Sequence, residues 1–202
     1  RHRTRIGGSD AAAVLGMNPW KNNVQLWLEK TGRAVAPDIS DKDVVKYGVA
    51  AEPLLRNLFE IDFPEYKVEY FGDNMVLNDD FPFAAASLDG ELTEKTTGRK
   101  GILEIKTTNI LRSMQKEKWN NQIPNNYYVQ LLHYFMVTEF DFAILKAQLK
   151  SEFKGEIYLQ TKHYKIERSD VQDDIDYLEK AERRFWEHVK TDKEPALVLP
   201  EL

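Results

Sequence analysis

The sequence predicts an α+β fold in which a central mixed β-sheet is flanked by helices. Apolar residues recur with helical spacing in the first sixty residues and toward the end, whereas the middle contains short stretches with β-type alternation. Gly, Asp and Pro separate these stretches and favour turns between them. The 202 residues contain no internal repeat and no low-complexity linker, so one domain is expected over residues 1–202.

The first third of the chain is expected to be helical. Helices are predicted over residues 11–15, 24–30 and 44–61. Ser9 and Asp10 are the expected N-cap residues of the first helix, and Gly16 is expected to end it. Pro53 marks either the start of the third helix or a bend within it.

The remaining two thirds are expected to supply the sheet and the helices that pack on each side of it. Strands are predicted over residues 66–71, 74–78, 84–92 and 101–107, and a strand pair over 142–149 and 156–165. Helices are predicted over residues 111–119 and 126–138. Gly155 is expected in the turn of the strand pair. Ser169 is the expected cap of a last helix that ends near Lys190.

Composition excludes several classes of protein. The chain has no cysteine, which excludes disulfides, thiolate zinc sites and cysteine nucleophiles, and no apolar run long enough to span a membrane. The first residues lack the apolar segment of a secretion signal, so we expect a soluble protein of the cytoplasm. The formal net charge of −5 argues against a protein that coats nucleic acid, but it is compatible with an enzyme that carries a local basic patch.

Three charged residues in the middle of the chain form the main candidate site. Glu104 and Lys106 lie two apart on an apolar strand, so their side chains are expected to project from the same face. The loop before this strand would bring Asp89, which precedes Gly90, beside Glu104. Because burying charges without partners is costly, we expect the three residues to pair with each other, to bind a metal or to have a catalytic role. An ordinary cross-strand salt bridge explains the bare spacing equally well.

This combination suits the hydrolysis of a phosphodiester bond. Two carboxylates can hold Mg²⁺ or Mn²⁺ through oxygen and leave coordination positions for water and phosphate. A neighbouring lysine can orient or deprotonate the attacking water, since burial and the metal adjust its pKa.

Four segments then resemble a known family. Asp89 with Glu104-Ile105-Lys106 matches the PD-(D/E)xK nuclease motif, although Ser87-Leu88 replaces the usual Pro before the Asp. Residues 6–16, IGGSDAAAVLG, and the Asn-Pro-Trp that follows are similar to the opening of the YqaJ-type viral recombinases, relatives of phage lambda exonuclease. Residues 47–60 resemble the family's helix with an additional acidic residue, and residues 127–134 resemble its Gln-containing helix. The resemblance implies a restriction-endonuclease-like core.

The resemblance also implies roles for individual residues. Asp89 and Glu104 would ligate Mg²⁺, for which Mn²⁺ could substitute, together with the backbone carbonyl of Ile105. Lys106 would position or activate the attacking water. Glu52 would contact a second metal or a metal-bound water.

A pocket for the terminal 5′-phosphate of DNA is implied as well. Ser9 and a nearby arginine would hold the phosphate, in agreement with the affinity of helix N-termini for anions. Arg1, Arg3 and Arg5 compete for this role. An exact register of the motif would place His2 between two of them, and Arg3 is favoured.

Supporting residues are expected on the Gln-containing helix. Gln130 and Tyr134 are four apart and share one face, where an active-site contact and a structural hydrogen-bond network are both open. His133 is expected to be structural, because no second histidine lies at ligand spacing.

Two other features allow a DNA contact and a plainer alternative. Trp20 is interpreted as a core or loop-anchoring residue in preference to one that stacks on a DNA base. Arg112, Lys116 and Lys118 follow the candidate catalytic strand and are interpreted as a solvated face in preference to a lining of the DNA path.

The function implied by the resemblance is a Mg²⁺-dependent 5′-to-3′ exonuclease, encoded by a phage or prophage. It would digest one strand of linear double-stranded DNA, leave 3′ overhangs and work with a single-strand annealing protein. It would also assemble as a ring-shaped homotrimer around the duplex. An endonuclease on the same fold and a catalytically silent DNA-end-binding recombination partner are the alternatives.

Overall fold

A computed structural model describes residues 4–72 and 75–200, and their secondary structure is of the mixed type that the sequence predicts. The α-helices are α1 (Gly8–Val14), α2 (Asn23–Lys30), α3 (Asp43–Asp62), α4 (Ser113–Glu117), α5 (Asn125–Thr138) and α6 (Gln172–Lys190). The strands are β1 (Tyr66–Glu69), β2 (Gly90–Glu94), β3 (Lys100–Asn109), β4 (Phe142–Phe153) and β5 (Glu156–Glu167). None of the described helices is both long and apolar enough to cross a membrane.

The five strands form one mixed sheet in the order β1-β2-β3-β4-β5. Neighbouring strands are antiparallel except for β3 and β4, which run parallel and are joined through α4 and α5. Strand β2 pairs with β3 only from Gly90↔Leu103 to Thr93↔Lys100. The second half of β3 therefore has no partner on its β2 side, and this open edge is where the candidate site lies.

Helices cover both faces of the sheet, as predicted. Helix α3 packs on one face, where Leu55 and Phe59 share a hydrophobic core with Leu103 and Ile105 of the sheet. Helices α1, α5 and α6 lie on the other face, in a larger core that includes Ile102 and the alternate residues of β4. Alternate residues of β3 thus enter different cores, which is the two-residue period expected of a strand covered on both sides.

One buried polar cluster connects the helical layer to the chain before β2. His133 of α5 is fully buried, with Nδ1 2.6 Å from Glu182 Oε1 of α6 and Nε2 2.9 Å from the carbonyl oxygen of Ala85. Burial disfavours a charged ring, but Glu182 and the Ala85 carbonyl outweigh it and raise the pKa of His133. These contacts agree with the structural role expected of His133.

Two helix starts differ from the prediction. Helix α1 begins at Gly8 with Gly7 as its N-cap, so Ser9 and Asp10 lie within its first turn. Asp10 stabilises this start from inside the helix, because its carboxylate accepts the N–H of Gly7 at 2.9 Å. Helix α6 begins after a 3₁₀ turn (Arg168–Val171), so Ser169 does not cap it.

The strands predicted over 74–78 and 84–92 were largely wrong. In the described part of these segments, Val76 pairs with Ala86 in an isolated bridge, and regular pairing begins only at Gly90. Ala84 and Ala86 are buried in the core that α1 and α5 line, and they pair through isolated bridges with Ile6 and Val76 instead of extending the sheet. An apolar run alone does not separate these two environments.

The interpretation of Trp20 as a core or loop-anchoring residue is also wrong. Its side chain is 78% exposed. The turn is stabilised instead by Asn18, whose side-chain oxygen accepts the N–H groups of Trp20 and Lys21 at 2.8 and 3.1 Å.

Candidate active site

Strand β3 carries two of the predicted catalytic residues on its open edge. Glu104 is 2% exposed, and its Oε1 lies 2.9 Å from Lys106 Nζ. The predicted projection of the two side chains from one face is thus observed. Lys106 also lies against an aromatic ring, with Nζ 4.8 Å from the centroid of Tyr127 in α5. A carboxylate on one side and a π-face on the other hold the ammonium in place.

Asp89 joins this pair from the chain immediately before β2. Its Oδ2 accepts the N–H of Ile105 at 2.8 Å, and this bond takes the place of strand pairing on the open edge of β3. Gly90 makes the close approach possible, because a Cβ there would lie only 3.1 Å from Leu103 Cδ2. The N–H and C=O of one strand residue point to the same side, so the carbonyl of Ile105 also faces this edge.

Helix α3 adds Glu52 and an arginine that the sequence analysis missed. Arg56 lies one turn after Glu52, and its Nη2 is 2.5 Å from Glu52 Oε2. Its Nε donates to the backbone carbonyl of Asp89 at 2.6 Å, and the guanidinium lies 3.6 Å from the ring centroid of Tyr70. Arg56 therefore fixes α3 against the segment that carries Asp89. The i, i+4 spacing from Glu52 was the available signal.

Helix α5 supplies Gln130 and Tyr134, which line the same cleft. Gln130 Nε2 donates to Tyr134 Oη at 2.7 Å, so the two residues form the network that their spacing allows. Tyr134 in turn packs against the start of α1, where a Cβ on Gly8 would come within 2.4 Å of its ring. Gly8 of the Gly-Gly-Ser motif is thus required for α1 to approach the site.

The residues from these four elements surround one open cleft of about 410 Å³. Glu52, Asp89, Glu104, Lys106, Gln130 and Tyr134 all line it. A smaller cavity of about 140 Å³ shares Gln130 and Tyr134 with this cleft and extends to Arg5 and Ser9. Arg3, the arginine favoured for the 5′-phosphate, lies outside the described residues, so its predicted role stays a prediction.

The cleft contains more carboxyl groups than neighbouring cations to balance them. Burial and then the charge of Glu104 raise the pKa of Asp89 to about 7, and burial and then Asp89 raise the pKa of Glu52 to about 7. Burial also raises the pKa of Glu104 although Lys106 opposes it. Burial disfavours the ammonium of Lys106, but Glu104 outweighs burial and the pKa of Lys106 is raised. Three acidic groups thus share two nearby cations, Lys106 and Arg56.

The donor set of the cleft fits a hard divalent cation. Within residues 4–72 and 75–200, no three His, Cys, Asp or Glu side chains are grouped to hold a metal by themselves. The predicted set is different, with two carboxylates and the carbonyl of Ile105. Glu104 Oε2 is buried without a hydrogen-bond partner among the described residues, and Asp89 lies beside it. Such an oxygen is expected to gain most from a cation with a preference for oxygen ligands.

Comparison with known proteins identifies the family. The model of the YqaJ-like viral recombinase domain matches residues 1–141. The chain belongs to the YqaJ-like viral recombinase family. It is 33% identical over 184 residues to the uncharacterized protein YqaJ of Bacillus subtilis (strain 168), a match that covers 91% of the chain and 53% of that protein. The chain therefore spans about half the length of this curated relative.

Solved structures confirm the fold of this YqaJ-like chain. An alkaline exonuclease (LHK-Exo) from Laribacter hongkongensis superposes with a TM-score of 0.68 at 16% identity, over 95% of the chain and 90% of the exonuclease. A phage related exonuclease from Haemophilus somnus 129PT superposes with a TM-score of 0.61 at 12% identity, over 93% and 96% of the two chains. The predicted α+β fold and family resemblance are both confirmed. Both structures belong to the enzyme class that the sequence predicted.

Proposed function

We propose that this protein is a metal-dependent deoxyribonuclease that digests linear double-stranded DNA from its 5′ ends. It removes one strand in the 5′-to-3′ direction and leaves 3′ single-stranded overhangs. Membership of the YqaJ-like family and the fold shared with exonucleases support a nuclease. The direction, the strand choice and Mg²⁺ as the metal, with Mn²⁺ as a substitute, rest on the family resemblance of the motifs.

The observation that carries the proposal is the convergence of Asp89, Glu104 and Lys106 on the open edge of β3. A structural salt bridge would account for Glu104 and Lys106 alone. It would not account for a second, half-buried carboxylate beside them, for Glu52 in the same cleft, or for an unsatisfied oxygen on Glu104. An intact set of this kind also argues against a catalytically silent DNA-end-binding protein.

The residues of the chain divide the work of hydrolysis. Asp89, Glu104 and the Ile105 carbonyl would hold the cation, which when bound neutralises charge on the phosphoryl oxygens and makes water more acidic. Lys106 is kept protonated by Glu104, so it is suited to donate hydrogen bonds that orient the attacking water and offset developing negative charge. Glu52, held by Arg56, would position a second cation or a water on the opposite wall.

The cellular context follows from the same resemblance. The proposed enzyme acts in the cytoplasm of a bacterium that carries the phage or prophage. The overhangs would be passed to a single-strand annealing protein, and a ring-shaped homotrimer would keep the enzyme on its duplex. Size measurement in solution tests the trimer independently of activity.

The decisive assay compares linear duplex with covalently closed circular duplex in the presence of Mg²⁺. We expect the linear form to be degraded and the circle to remain intact, because an exonuclease requires an end. A time course with label on either the 5′ or the 3′ end reports polarity and strand choice. Loss of the circle would support the endonuclease alternative, and an inert linear substrate would support a silent binding protein.

The cavity beside the cleft predicts a preference for the chemical state of the DNA end. The start of α1 contributes Ser9 to this cavity, and Arg5 lines it together with Asp10. A hydroxyl and a guanidinium at a helix start suit a terminal phosphate. We expect 5′-phosphorylated ends to be digested faster than 5′-hydroxyl ends. Replacing the responsible arginine should erase the difference. Arg3→Ala is the variant that the sequence prediction indicates, and Arg5→Ala is the variant that the cavity indicates. Equal rates on both ends with the parent protein would rule out the phosphate pocket.

A further inference from the structure

Residues 110–118, between β3 and α5, form an exposed segment that we call the flap; it includes α4. The flap is fixed at both ends. Ile110 donates its N–H to the carbonyl of Lys150 in β4 at 2.7 Å. Trp119, which follows the flap, is 3% exposed, and its carbonyl accepts hydrogen bonds from Lys162 and Tyr164 of β5. The segment between these anchors is therefore held out from the surface rather than packed into it.

The exposed side of the flap is basic and partly apolar. Arg112, Lys116 and Lys118 are exposed, and no ion pair connects them to an acidic residue in the described parts of the chain. Leu111 and Met114 are 81% and 70% exposed. Glu117 lies among the three cations, so residues 110–118 carry a formal charge of +2, which runs against the formal charge of −5 of the chain as a whole.

The flap borders the candidate active site. It begins directly after β3, the strand that carries Glu104 and Lys106. At its other end the ring of Trp119 lies 5.5 Å from the ring of Tyr127, and that ring lies 4.8 Å from Lys106 Nζ. An aromatic contact and a cation–π contact through Tyr127 thus connect the anchor of the flap with Lys106.

We propose that the flap binds the sugar–phosphate backbone of the duplex whose end occupies the cleft. This inference rests on the proposed function. Exposed Arg and Lys side chains that are not engaged in ion pairs attract phosphates, and contacts of this kind fix the position of the DNA without reading its sequence. Exposed Leu111 and Met114 would lie against the sugars. The positive charge makes DNA the better occupant than an apolar segment of a protein, whose binding would not require three cations.

Salt dependence of DNA binding tests the flap. The flap variant carries Arg112→Gln, Lys116→Gln and Lys118→Gln, and a matched control carries Lys95→Gln, Lys180→Gln and Lys193→Gln, which removes the same charge from exposed positions elsewhere. Binding of a fluorescent linear duplex is measured in EDTA, so that nothing is digested, over a series of salt concentrations. Each phosphate contact contributes about 0.9 to the slope of log Kobs against log salt, so the flap variant should lose about two to three from this slope.

The flap variant should also bind at least about tenfold more weakly at low salt, whereas the control should retain the parent slope and affinity. In Mg²⁺ its KM for duplex should rise while kcat stays near that of the parent. Unchanged thermal melting shows that the exposed substitutions leave the fold intact. If the flap variant has the same salt slope as the parent, the proposal that the flap binds DNA is wrong, while the proposed nuclease function stands. A flap that binds a protein partner would give this result. A parent protein that binds no duplex overturns the proposed function together with the flap.

Discussion

Replacement of Lys106 by alanine is expected to slow the digestion of linear duplex by about 10²- to 10⁴-fold in kcat, the range typical of groups that orient or transfer protons. The ammonium is the only cation that touches Glu104 among the described residues, and it is held by Tyr127 at the centre of the cleft. Binding of DNA ends should persist, because the phosphate contacts lie elsewhere. Rates on end-labelled duplex and Kd measured in EDTA separate the two effects.

The design must allow for a loss of stability. Removing Lys106 leaves the buried carboxylate of Glu104 uncompensated, which costs about 3–5 kcal/mol in comparable cases. Lys106→Arg keeps the charge and should fold like the parent, but its planar fork places the N–H groups differently, so digestion should stay impaired. Lys95→Ala, an exposed lysine in the turn between β2 and β3, is the matched control and should be fully active. Full activity in a folded Lys106→Ala protein would contradict the mechanism.

The parts of the site that lie on one strand were predictable from the sequence. The two-residue period of a strand is strict, so an apolar frame around Glu104 and Lys106 fixes their common face before any tertiary contact is known. The position of Asp89 also followed, because a short hairpin returns the chain to the strand it left and Gly90 permits the close approach. Local geometry determined these placements.

Contacts between distant elements were not predictable in the same way. Arg56 bonds the carbonyl of Asp89 across 33 positions of sequence, and a helical periodicity cannot identify that partner. The same reason explains the error over 84–92, where alanines pack under helices instead of extending a strand. The start of α1 was misplaced because Asp10 caps the helix from within its first turn, a role that its residue type shares with an N-cap.

Arg56 also changes how Glu52 is understood. The sequence resemblance alone gave this residue a contact with a second metal or a water. The structure holds the Glu52 carboxylate with an arginine that simultaneously fixes the backbone of Asp89. Arg56 therefore links the position of Glu52 on α3 to that of Asp89 beside β3.

Replacement of Asp89 by asparagine is expected to abolish both digestion and the stabilisation of the protein by metal. A cation that binds only the folded state raises its stability, by about 2.7 kcal/mol at a hundredfold excess over Kd, so the Tm of the parent should rise as Mg²⁺ is added. Asparagine removes a charged ligand but keeps an oxygen that can accept the N–H of Ile105, so the fold should persist. Melting curves with and without Mg²⁺ provide this measurement without any DNA.

Without metal, the difference in Tm between Asp89→Asn and the parent is expected to have the opposite sign. Burial and then the charge of Glu104 disfavour the ionised form of Asp89. Asparagine has nearly the same shape and no charge, so it removes this unfavourable contribution to stability. Asp89→Asn should therefore melt higher than the parent in EDTA and lower than the parent in saturating Mg²⁺. Asp170→Asn, on the exposed 3₁₀ turn before α6, removes an equal charge far from the cleft and should follow the parent in both conditions. A Mg²⁺-dependent rise that is the same in Asp89→Asn and in the parent would show that the cation binds elsewhere. The expected reversal, with Asp89→Asn melting higher in EDTA and lower in Mg²⁺, is specific to a carboxylate whose charge is unfavourable without the metal and favourable with it.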